Sequence, residues 1–222
     1  MRPPRGNTEA RRAAILDAAL RVFGQYGYRR TSMDDIAREA GIAKGTIYLS
    51  FASKEEVFQA LSQSLSQRML ADAEAARHRP GTTADKLTAM SAAWFGAYAE
   101  TIRRSPHADE LLDAKHQLSA DRVSAAASRF KRLVRDVLTE AAAAGELALE
   151  PAGLTPDTAA ELLIASARGL ESSAASPAAY RRYLSALVRV MVAGLASGLP
   201  SSTSNQLPQV DHMYGGNLPR NL

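Results

Sequence analysis

From Lys44 to Lys54 the chain runs KGTIYLSFASK, a stretch with two cations, four hydroxyl side chains, one position without a side chain and no acid. That set of groups suits gripping phosphates and reading base edges. Lys44 can reach a phosphate or a guanine edge, Thr46 a phosphate or a thymine methyl, and Gly45 lets the backbone come close to a duplex. Tyr48 can donate to a phosphate, with Leu49 and Ser50 following it on the same exposed turn. Lys54 adds a cation in the first turn of the next helix, beside backbone N–H groups that favour an anion. Thr31 and Ser32, at the start of the preceding helix, complete the candidate DNA-contacting set.

Such residues need a scaffold, and the spacing of Ala37, Gly41 and Ile47 supplies one. Ala37 offers only a methyl where two helices must approach, Gly41 lets the chain leave the first helix with φ > 0, and Ile47 points back onto that helix. Met33, Ile36 and Ala40 continue the apolar stripe. Thr31 or Ser32 caps the first helix, with Asp34 and Asp35 in its first turn. Ser53 and Glu56 read as a capping box that starts a third helix. By spacing alone, a helix pair with a glycine turn is equally readable as a packing unit.

The full run from Arg11 to Ala60 decides between these readings, because it resembles the DNA-binding domain of the tetracycline-repressor (TetR) family. The resemblance is carried by Ile15-Leu16-Asp17-Ala18-Ala19 and Phe23, Gly27-Tyr28, Thr31-Ser32 and Asp35-Ile36-Ala37. It continues through Ala40-Gly41-Ile42, Lys44-Gly45-Thr46-Ile47-Tyr48, Phe51, Ser53-Lys54-Glu55 and Phe58. Ala43 stands where the family often has a serine, and Ser50 where it often has a larger histidine or tyrosine.

Ahead of the motif, Ile15, Leu16, Ala19, Leu20, Phe23 and Tyr26 recur at helical intervals and predict an amphipathic helix from about Glu9 to Gln25. The helix from Ser53 runs through Val57, Phe58, Leu61, Leu65 and Met69 to about Arg77 and forms a bridge out of the motif. Further helices are expected near 83–104, 107–118, 121–144, 157–174 and 177–197. The expected fold is all-α: an N-terminal three-helix helix-turn-helix DNA-binding domain with a basic arm (1–56), then a C-terminal helical ligand-binding and dimerisation domain (57–198). Residues 199–222, rich in Ser, Asn, Gln, Pro and Gly, read as a disordered tail.

On the last two helices Leu162, Leu163 and Leu170, then Tyr180, Leu184, Leu187, Val188, Met191 and Leu195, form apolar stripes. A monomer would bury them as core; the resemblance implies a four-helix dimer interface instead, and two recognition helices a helical turn apart would read a pseudo-palindrome. Met90, Trp94, Phe95 and Tyr98, with Leu111, Leu112, His116, Phe130 and Val134, are the candidate lining of a ligand pocket. Met, Trp and Tyr at four-residue spacing also read as plain core. Arg168 and Glu171 are either an ion pair or polar anchors in that pocket. Asp109, Asp113 and His116 share a helix face, a pattern common on solvated helices, and no metal is assigned.

The chain of 222 residues has 46% hydrophobic residues and no cysteine, so neither a disulfide framework nor thiolate chemistry is expected. The net charge of +4 is unevenly placed: residues 1–30 hold Arg2, Arg5, Arg11, Arg12, Arg21, Arg29 and Arg30 against Glu9 and Asp17. The positive end is the motif end, and a basic arm can track phosphates or enter a minor groove. There is no signal-like start and no run of eighteen apolar residues, so a cytoplasmic protein is expected. No glycine-rich phosphate loop or His-Glu-x-x-His pattern marks an enzyme, and no cofactor is assigned. The expected partners are double-stranded operator DNA, a second copy of the chain and a small-molecule effector. The resemblance makes repression the default.

Overall fold

Polar caps and glycine exits divide the chain into helices, and no strand occurs among the described residues, 5–96 and 105–196, of the computed structural model. In chain order the α-helices are α1 (Arg5–Tyr26), α2 (Met33–Glu39), α3 (Lys44–Tyr48), α4 (Lys54–Arg77), α5 (Thr83–Ser91), α6 (Ala108–Ala143), α7 (Pro156–Ser173) and α8 (Pro177–Ala196). The arm before Arg5, Tyr98 and the segment 199–222 lie outside the described residues, as do the side chains of His116 and Glu171.

Local chemistry explains the boundaries. Ser32 caps α2 in a reciprocal capping box with Asp35, and Thr82 does the same for α5 with Asp85. Thr155 caps α7 ahead of Pro156, whose missing N–H is not needed in the first turn. Ser53 accepts the N–H of Glu56 as expected, but the Glu56 carboxylate reaches one residue further back, to the N–H of Ala52 at 2.7 Å. At the end of α2, Gly41 takes φ +67°. The N–H of Ile42 then bonds Ala37 O at 3.0 Å and that of Gly41 bonds Arg38 O at 3.1 Å, closing the helix with the paired bonds of a Schellman motif.

Two helices differ from expectation. The segments expected at 107–118 and 121–144 are one helix, α6, of 36 residues. Only Ser119 and Ala120 separate them, and neither removes a backbone donor or favours a turn strongly enough to stop a helix already packed on its neighbours. Of the helix expected over 83–104, the described part is α-helical to Ser91 and then widens into a π-turn over Ala92–Gly96; 97–104 lie outside the described residues.

Buried apolar side chains form two clusters. The first joins Ile15, Ala19 and Phe23 of α1 to Ile36 and Ala37 of α2, Ile47 of α3 and Val57, Phe58 and Leu61 of α4. Leu111 and Ala114, from the start of α6, complete it. The second contains Met69, Leu70, Ala73 and Ala76 of α4, Leu87 and Met90 of α5, and the inward faces of α6, α7 and α8. Both α4 and α6 therefore contribute to each core. No helix among the described residues is long and apolar enough to cross a membrane.

Candidate nucleic-acid interface

Ile47 is fully buried while its neighbours on α3 are not, and this anchors a five-residue helix on the surface. Lys44, Gly45, Tyr48 and Leu49 are exposed and Thr46 is half-buried. Leu49 is 81% exposed and packs on nothing that would explain an apolar residue there. A Cβ placed on Gly45 would meet no atom within 4 Å, so the glycine leaves the backbone open to an approaching surface. Ala43 caps α3 without a side-chain hydrogen bond, the consequence of lacking a hydroxyl at that position.

Charge on this face is regulated by neighbours. Lys44 Nζ lies 2.7 Å from Asp34 Oδ2, and this hydrogen bond and the Asp34 charge raise the lysine pKa above its ordinary value. Lys44 stays cationic and is held beside α2 by Asp34. Asp35 is held below the ordinary carboxylate range, chiefly by the hydrogen bonds from Ser32. Ser32 itself is exposed at the amino end of α2 and already committed to that cap.

Three expected DNA contacts are placed elsewhere. Thr31 is buried, and its hydroxyl donates to Gly27 O at 2.6 Å, so it fixes the loop before α2. Lys54 turns away from the outer face: its ammonium donates to Tyr28 O at 2.8 Å, Thr31 O at 2.8 Å and Arg29 O at 3.2 Å, and lies 4.6 Å from the Tyr28 ring centre. Burial lowers its pKa, with the Glu110 charge acting in the opposite direction. Three carbonyls use all the donors an ammonium has. The Ser50 hydroxyl is buried without a hydrogen-bond partner, and Ser50 takes part through its backbone.

That backbone reveals a residue the sequence did not mark. Arg12 of α1 donates to Ser50 O at 2.5 Å, and its guanidinium sits 4.1 Å over the Phe51 ring. A cation at the carboxy end of α3 complements the helix dipole and fixes the recognition helix to α1. Arg12 lies a long way from α3 in sequence and matches no local pattern, so only the fold brings it there.

Behind the reading face, the first turn of α6 and the segment just before it hold the loop after α1 and the last turns of α1 itself. Glu110 Oε1 accepts the N–H of Arg29, and Ser105 Oγ donates to Gly24 O at 2.7 Å. Gly27 has φ +81°, and a Cβ there would fall 2.5 Å from Glu110 Oε2. The positive φ favours glycine here, and a side chain would also displace the end of the Glu110 carboxylate.

Of the candidate pocket residues, Met90, Trp94, Phe95 and Phe130 meet in the second core. Trp94 stacks on Phe130 at 4.8 Å with the rings 6° from parallel, and Phe95 meets the same ring edge-on at 5.9 Å. Val134 is buried with them, whereas Leu111 belongs to the first core and Leu112 is half-buried outside both. Arg168 is exposed on the outer side of α7, which removes it from any interior lining. A small cavity of about 30 Å³ lies within the first core instead, walled by Leu20, Phe23, Phe58, Leu61, Leu65 and Leu111.

The apolar stripes of α7 and α8 divide by face. Leu163, Tyr180, Leu184, Val188 and Leu195 are enclosed within the chain's own core, because the side of each helix facing α5 and α6 takes the largest apolar residues. Leu170, Leu187 and Met191 are half-buried, and Leu162 is 50% exposed. The outward face carries two residues absent from the expected set, Tyr183 and Val190, spaced seven apart on α8.

Residues 15–61 match the model of a family described as bacterial regulatory proteins, tetR family. Over 115 residues the chain is 34% identical to the HTH-type transcriptional regulator BetI of Agrobacterium fabrum, covering 46% of this chain and 56% of that protein. The chain thus spans little more than half the length of that curated relative. Among solved structures, the regulator PfmR of Thermus thermophilus superposes with a TM-score of 0.61 at 20% identity, over 84% of this chain and 98% of that one. FadR of Bacillus subtilis, solved with stearoyl-CoA, superposes with a TM-score of 0.57 at 23% identity, over 85% and 99% of the two chains. At those identities the likeness is one of fold.

Proposed function

We propose that the chain, whose residues 15–61 match the model of the tetR family of bacterial regulatory proteins, is a DNA-binding transcriptional regulator, a homodimeric repressor released from a palindromic operator by a small-molecule effector. The observation that carries the reading is the division of α3: Ile47 is sealed in the core while Lys44, Tyr48 and Leu49 face outward with Thr46 at their edge. Lys44 and Tyr48 make the phosphate and base-edge contacts, Gly45 admits the backbone, and Arg12 holds the helix at its angle. One such helix gives weak binding, and a symmetric pair gives a specific operator.

The apolar outward face of α7 and α8, around Leu162, Tyr183 and Val190, is the surface that meets the second copy. The effector acts on the helices behind the reading domain; FadR, which shares the fold, was solved in complex with stearoyl-CoA, a precedent for a ligand-bound relative. Two connections carry the change forward: α4, shared by both cores, and the clasp in which Ser105 holds Gly24 of α1 and Glu110 holds Arg29 in the loop before α2. A shift of α6 moves both recognition helices away from the spacing of successive grooves. Reciprocity then requires the operator to weaken effector binding by the same factor, typically about 5–150-fold.

Selection of bound sequences from a random duplex pool tests the reading. Enrichment of a palindrome with half-sites about one helical turn apart, or a multiple of that, is the expected result; recovery of no consensus would overturn it.

A further inference from the structure

Between α5 and α8 runs an open groove of about 350 Å³ whose lining mixes small apolar side chains with hydroxyls, one carboxylate and two arginines. On α8, Arg181, Ser185 and Arg189 follow one another at four-residue spacing and so form a single wall. Opposite them, Thr88 presents a hydroxyl, and the small side chains of Ala89 and Ala92 leave the floor of the groove open. The acid of the groove, Asp85, is turned to the amino end of α5, where its carboxylate accepts both the N–H and the hydroxyl of Thr82. Arg189 is exposed and has no acidic partner among the described residues.

We propose that this groove is a binding site for a phosphorylated small molecule, with Arg189 and Arg181 as its phosphate ligands. Two guanidiniums eight residues apart on one helix stand roughly 12 Å apart at their backbones. Their long side chains can close on one phosphate from both sides or hold the two ends of a diphosphate. The planar fork of a guanidinium matches phosphate oxygens in pairs. Ser185 and Thr88 add neutral donors between them, and the lining contains no large apolar side chain that would select a hydrophobic ligand. The volume falls within the range of small-molecule sites. The site is separate from the DNA-reading face and does not depend on it.

Calorimetric titration of the full chain with inorganic pyrophosphate at low ionic strength tests the assignment, using the wild type, Arg189→Ala and Arg182→Ala. Arg182 removes the same charge from the same helix but stacks on Tyr183, outside the groove. Saturable binding that weakens about tenfold or more in Arg189→Ala and less than about twofold in Arg182→Ala supports the site. No saturable binding by the wild type, or an equal loss in the two variants, overturns it. Circular dichroism of both exposed-site variants separates a lost ligand from a lost fold.

Discussion

Glu110 Oε1 accepts the backbone N–H of Arg29 at 2.5 Å, a hydrogen bond spanning 81 positions of sequence that ties the first turn of α6 to the loop entering the helix-turn-helix. The loop passes close enough for this bond because Gly27 has no side chain. Replacing Gly27 with alanine therefore strains φ +81° and drives a methyl into the Glu110 carboxylate. Gly27→Ala should lower stability in chemical denaturation and uncouple the reading domain from α6, whereas Glu110→Gln, which keeps the acceptor, should retain most of the stability. Equal stability of Gly27→Ala and wild type would contradict the clasp.

Lys44 and Lys54 should behave oppositely, although both are lysines flanking the recognition helix. Lys44→Ala should weaken DNA binding and reduce the slope of affinity against salt by about one charge. Lys54→Ala strips three backbone carbonyls of their donor and should cost about 1–3 kcal/mol of stability, leaving the salt slope of the folded fraction unchanged. Anisotropy titrations across a salt series, paired with denaturation curves, separate the two.

Asp34 holds Lys44 at 2.7 Å on an exposed surface. Asp34→Asn releases the lysine and removes an anion from a face that meets phosphates. Affinity for duplex DNA should rise, while stability stays close to wild type, because a solvent-screened exposed pair contributes little. Weaker DNA binding by this variant would show that the pair positions Lys44 for its contact.

The cap on α2 makes part of the stability pH-dependent. The Asp35 pKa is depressed below its ordinary 3.8 by Ser32, so its contribution is present above the unfolded value and is lost as pH falls through the folded one. Asp35→Asn should be less stable than wild type at neutral pH, and the difference should shrink as pH drops below about 3.8. A difference constant with pH would mean that the carboxylate charge is not what holds the cap.

The helix-turn-helix was readable because its determinants are local: a capping residue, a glycine exit and one inward isoleucine within a few turns. What escaped were relationships that only tertiary contact creates. Lys54 carries the charge of a phosphate ligand, yet the carbonyls that claim it come from the loop 28–31, some two dozen residues earlier. Arg12 reaches Ser50, at the end of α3, across 38 positions. On α7 and α8 the apolar residues mark both a core face and an outward face, and periodicity identifies a stripe without saying which neighbour covers it. Hence Leu184 and Val188 face inward, while Val190 is left outside. The join across Ser119 was missed because a serine that favours turns in a free peptide is held in α6 by its packing.

Hydroxyl-radical footprinting of the full chain on the duplex recovered by selection tests DNA reading by paired recognition helices most directly. Two protected segments on one face of the duplex, about one turn apart or a multiple of it and both lost with Lys44→Ala, are the predicted result. A single protected segment, or a footprint that Lys44→Ala leaves intact, would contradict it.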